Sequence, residues 1–245
     1  MMEKHRRRGS RVALVALVGI LGAVAVAAVI LGGLGPSGTQ GQSTVAPTGP
    51  RPSASSSASS RPNDTVDPKV VDRGWVAEPI TQDADVYMRV ALEAAATFDT
   101  RRATRDEWLS WLGTWLTPSP LYEDPQDALD QMAGYKAELA QTVVPPQSQW
   151  DDLARNDGHV SARVDGQIEY LDQPEATQKH VRTATANVVM TYTQTGDGTG
   201  GEASYDQTVR VSVQVVCGGT SIPTPDSGQR AGDCKVVRFF DAAVG

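Results

Sequence analysis

At 245 residues with 40% hydrophobic and 21% charged side chains, the chain has room for one or two domains. Its formal charge of −7 is unevenly placed. Residues 1–34 carry Lys4, Arg6, Arg7, Arg8 and Arg11 against Glu3, a local +4 that leaves −11 for the rest and argues against a nucleic-acid-binding surface there. Two cysteines and three histidines (His5, His159, His180) exclude a cysteine-rich scaffold and leave little for a zinc site.

Val12 to Leu34 is 23 residues without a charge. As a helix it would be about 34 Å long, enough to span a bilayer and longer than the apolar core of a cleaved signal peptide. No cysteine lies near it for lipid attachment. The positive-inside rule puts the basic head, 1–11, in the cytoplasm and everything after Leu34 outside the membrane. Gly35 to Pro62 has Gly, Pro, Ser or Thr at 20 of 28 positions, too few apolar groups to offset the entropy of ordering. A disordered tether is expected over 35–80 and a folded extracytoplasmic domain over 81–245.

Within that domain Val86, Val90, Ala94 and Phe98 recur at helical spacing, with Met88 and Leu92 on an adjoining face, which predicts a helix over 83–100. Thr104 with Glu107 reads as a capping box. Trp108, Trp111, Leu112, Trp115 and Leu116 then form one apolar stripe, and Pro118 stops the helix. Asp124 and Pro125 open a third helix whose buried side is marked by Leu129, Met132 and Tyr135 or Lys136.

After Pro145 and Pro146 the period changes from 3.6 to 2. Strands are predicted over 159–171, 180–194, 205–217 and 234–244. In the third, Val209, Val211, Val213 and Val215 share a face opposite Arg210, Ser212 and Gln214. Helices followed by strands predict an α+β fold with a four-stranded antiparallel sheet on three helices. The tryptophan stripe, Trp108, Trp111, Leu112 and Trp115, is expected to fill the core against the valine face. A pocket lined by the same residues is the alternative.

Signals of chemistry are sparse. Gly196 to Gly201 satisfies G-x-G-x-x-G, but a strand follows instead of a helix, so no dipole would face a phosphate and the segment reads as a hairpin loop. Cys217 closes one strand and Cys234 opens the next, and outside the cytoplasm they are expected to form a disulfide. No nucleophile, acid–base pair or ligand cluster is singled out, so no catalytic residue, cofactor or metal is expected and the chain reads as non-enzymatic.

A basic head, one spanning helix, a low-complexity tether and then helices followed by a sheet resemble the membrane-anchored NTF2-like proteins of bacterial conjugation and type IV secretion, the VirB8 and TcpC group. The resemblance is carried by Ala94-Ala95-Ala96-Thr97-Phe98, by the segment from Arg101 to Leu109, and by the late strands at 209–216 and 236–240. It implies a cystatin-like cone with a curved sheet. It also implies a scaffold or assembly role in an envelope-spanning channel, with other membrane proteins or further copies of the chain as partners. The same layout is similar to Mce-associated membrane proteins, and other NTF2-like domains bind ligands.

Overall fold

The computed structural model describes residues 64–195 and 201–241. The basic head, the spanning run at 12–34, the tether up to residue 63, and most of the glycine-spaced hairpin loop lie outside the described residues.

The folded unit begins earlier than residue 81. A 3₁₀ turn, Pro68–Arg73, is capped by Asp67, whose carboxylate accepts from the Lys69 N–H at 3.0 Å. Gly74 closes the turn at φ 73°, and a Cβ there would lie 2.7 Å from that of Asp99. The segment then doubles back: Thr65 bridges Pro79, Val66 donates to the Glu78 carbonyl, and Ile80 donates to that of Asp64, both at 2.9 Å. Trp75 and Glu78 are buried as a result. Residues 64–80, expected in the tether, are thus part of the domain. Their few anchoring side chains follow no period.

Helix α1 (Ala84–Ala94) starts at Asp83, whose carboxylate takes the N–H groups of Asp85 and Val86. Its buried residues are Ala84, Tyr87, Met88, Ala91, Leu92 and Ala94, so the expected Met88 and Leu92 face and Ala94 point inward while Val86 of the expected row is exposed. The helix ends before Phe98, which with Asp99 forms a short strand, β1, in place of a last helical turn. Helix α2 (Arg105–Leu112) carries the expected capping box. Thr104 Oγ1 accepts from Glu107 N–H, and Glu107 Oε2 accepts from Thr104 N–H. A 3₁₀ turn, Gly113–Trp115, extends it.

Helix α3 (Pro125–Glu138) buries Ala128 rather than Leu129, while Met132 and Tyr135 pack partly. A π turn, Leu139–Val143, leads to α4 (Gln147–Arg155), which seats Trp150 and Leu153 in the core. The sheet continues with β2 (His159–Leu171), then a short helix α5 (Pro174–Gln178), β3 (Val181–Thr195), β4 (Glu202–Gly218) and β5 (Gly232–Phe240).

All five strands run antiparallel in chain order, β1-β2-β3-β4-β5. The fold is α+β as expected, with a fifth strand. Alternation sorts the sheet into two faces. Ala184, Ala186, Val188, Val213 and Val215 point into the main core, and Val181, Val216 and Val237 into a smaller one under α5. The helix lying along β2, β3, β4 and β5 is α1, not the tryptophan-bearing α2 expected opposite the valine face.

Candidate functional site

Trp108, Leu112 and Trp115 are fully enclosed, and Trp111 is part-buried at the rim of the same core. Their partners come from elements beyond the stripe. Phe98 of β1 lies 5.1 Å from Trp108 and 4.5 Å from Trp150, ring centre to ring centre, and Trp108 to Trp150 is 5.6 Å. Trp115 meets Tyr87 of α1 at 6.0 Å and the edge of Trp111 at 5.6 Å. Trp111 stacks at 4.8 Å on Trp75, a residue from the supposed tether. Rings at 4.5–7 Å are in contact, so the space between helices and sheet is filled with side chains at this point. Trp75 and Trp150 belong to this cluster but stand outside the periodic stripes, and Phe98 stands in the helical row of α1, so no period in the sequence groups the three with Trp108.

A buried polar centre adjoins the aromatic one. Glu78 Oε1 accepts from Lys235 Nζ (2.7 Å), Tyr87 Oη (2.6 Å) and Gln229 Nε2 (3.0 Å). Lys235 Nζ also donates to Thr224 Oγ1 (2.6 Å) and the Thr114 carbonyl (3.0 Å), so its three protons are all placed. Burial lowers the Lys235 ammonium's pKa, opposed by the charge of Glu78. Burial, and then that same charge, holds the Tyr87 phenol well above its ordinary value. The centre joins the entry segment, α1, the β4–β5 loop and β5. Each of these donor atoms is engaged, while Glu78 Oε2 is buried without a partner, and the arrangement ties the four segments together as a joint.

Beside it, Cys217 and Cys234 are bonded across β4 and β5. His159 contacts Arg101 at 3.3 Å, and His180 precedes β3 with its ring against Gly218, so the two histidines serve separate parts of the surface. Among the described residues no group of three or more His, Cys, Asp or Glu could hold a metal ion.

No family model matches the chain, and no curated protein matches it. Among solved structures it is similar to an IcmL-like type IV secretion system protein of Legionella pneumophila, at 12% identity and TM-score 0.39, over 62% of this chain and 84% of that one. It is similar also to the periplasmic domain of DotI, at 15% identity and TM-score 0.37, over 61% and 86%. A third is CagV, a VirB8 homologue of Helicobacter pylori, at 11% identity and TM-score 0.34, over 64% and 96%.

Proposed function

We propose that the chain is a non-enzymatic, membrane-anchored scaffold or assembly component of an envelope-spanning machine of the conjugation or type IV secretion kind. The observation that carries the reading is the filled interior. In a cone-shaped α+β domain the space between helices and sheet is where a ligand would sit. Here Trp108, Trp115, Phe98, Tyr87 and Trp150 occupy it, and the buried charges beside them are tied to each other. The functional surface of such a domain is its outside. The basic head, the apolar run at 12–34 and the tether supply the rest: an anchor with a cytoplasmic N-terminus, and an extracytoplasmic domain that reaches its partners laterally.

The test is genetic and topological. Deleting the gene from a host with an active transfer element should abolish transfer. The full chain should restore it, and a chain lacking residues 12–34 should not. Protease added to intact spheroplasts should remove the domain and leave the anchor. Undiminished transfer in the deletion strain overturns the scaffold role, and a domain that stays protected while added protease cleaves a known external marker overturns the topology.

A further inference from the structure

On the face of the sheet turned away from the aromatic core, α5 and the loop that carries Leu121 flank a cavity of about 620 Å³, within the size range of small-ligand sites. Its floor is polar and neutral. Gln214 of β4 stands opposite Thr183 of β3 and donates to its hydroxyl at 3.0 Å, and that hydroxyl donates to the side-chain carbonyl of Gln173 at 3.0 Å. This chain of bonds uses one end of each carboxamide. Gln214 keeps its Oε1 and Gln173 keeps the two protons of Nε2, with no partner for either among the described residues. Gln214 is only 9% exposed and lines the cavity, and a carboxamide buried to that degree is seldom left half-bonded.

Leu121, Pro174 and Ala176 supply apolar walls. Lys179 Nζ reaches the Leu121 carbonyl at 3.4 Å, which ties the helix wall to the loop wall and bounds the cavity there. Glu175 and Lys179, both exposed, set one negative and one positive charge on the rim. With no net charge, the site has no pull on a phosphate or a lone cation. An acceptor on Gln214 and a donor on Gln173, held apart by the Thr183 hydroxyl, suit a trans secondary amide, which turns its N–H and C=O in opposite directions. A peptide running through also carries such amides, but it needs a groove open at both ends. A bounded cavity with apolar walls favours an amide that ends in a methyl group.

We propose that this cavity binds the acetamido group of an N-acetylhexosamine. The amide N–H donates to Gln214 Oε1, the amide C=O accepts from Gln173 Nε2, and the methyl group lies against Leu121 and Ala176. The ring stands at the rim, where its hydroxyls meet Glu175 and Lys179. The inference goes beyond the scaffold role and does not need it: a host that transfers normally without the gene would remove that role and leave this site.

The test uses the full chain in a detergent without a sugar headgroup, with tri-N-acetylchitotriose as the probe and saturation-transfer NMR as the readout. The acetyl methyl protons should receive the most saturation. Cellotriose, which carries a hydroxyl in place of each acetamido group, should bind at least about tenfold more weakly, because a site built to hydrogen-bond a group rejects the analogue that lacks it. Gln173→Glu keeps the acceptor for Thr183 and removes the donor to the ligand, so it should weaken binding about tenfold without moving the melting temperature. Equal binding of cellotriose, affinity indifferent to Gln173→Glu, or no saturation transfer at millimolar trisaccharide overturns the proposal. Tighter binding of N-acetylalanine methylamide than of the trisaccharide also overturns it and assigns the cavity to a peptide.

Discussion

Glu78 and Lys235 stand 157 positions apart in sequence and meet at 2.7 Å with almost no solvent contact. Neither could be placed there from the sequence, because a lone Glu in a Gly- and Pro-flanked stretch and a lone Lys in a strand look like surface residues. Removing one partner of a buried pair strands the other's charge, so Lys235→Met should cost about 3–5 kcal/mol in chemical denaturation. Glu78→Gln added to it should recover most of that loss. Tyr87 gives the joint a pH signature. Its phenol is held above its ordinary value of 10.0 by burial and by the Glu78 charge. A group whose pKa is raised on folding contributes stability that is fully present below its unfolded value and lost as pH rises through the folded one. Melting temperature should therefore fall above about pH 10, and the fall should be shallower in Tyr87→Phe. Lys235 titrates in both proteins, so the difference between them isolates Tyr87.

At the scale of elements, what was legible was periodic. The capping box at Thr104, the helices at α1, α2 and α3, and the four long strands all repeat at 3.6 or 2 residues. Strand β1 and helices α4 and α5 offer no period to read: β1 and α5 are two and five residues long, and α4 buries only Trp150 and Leu153. Phe98 continues the helical spacing of α1, yet pairing with Val160 draws it into the sheet. Pro145 and Pro146 marked a change of period, although Pro146 is the N-cap of α4, where its missing N–H costs nothing. The tryptophan stripe lies in the core but not against the valine face, because α1 occupies the space over β4. This redistributes the expected energies. Trp108→Ala and Trp150→Ala, each removing a buried ring from the Phe98 cluster, should each cost about 3–5 kcal/mol, and Trp111→Ala at the rim about half as much. Denaturant midpoints order the three. The double variant of Trp108 and Trp150 should lose less than the sum of the singles, since the rings share a cavity.

Over the whole molecule, the folded unit is closed by ties between its first and last segments. The entry segment contributes Trp75 to the aromatic cluster and Glu78 to the buried pair, and the Cys217–Cys234 bond fixes β5, which carries Lys235. Cutting the disulfide by Cys217→Ser with Cys234→Ser opens a loop of 17 residues, worth about 3 kcal/mol in the chain-entropy model. Moving the start of the chain tests the other tie. A fragment beginning at Asp64 retains every contact described here and should fold as a cooperative unit. One beginning at Thr81, where composition alone would put the boundary, loses the stacking partner of Trp111 and leaves Lys235 without its carboxylate. The stranded ammonium alone accounts for about 3–5 kcal/mol, a large share of the stability of a domain this size. The shorter fragment should therefore melt well below the longer one or fail to fold. Adding Lys235→Met should restore part of its stability, because an apolar side chain needs no counter-charge. Equal melting temperatures for the two fragments would show that the entry segment rests on the domain without holding it.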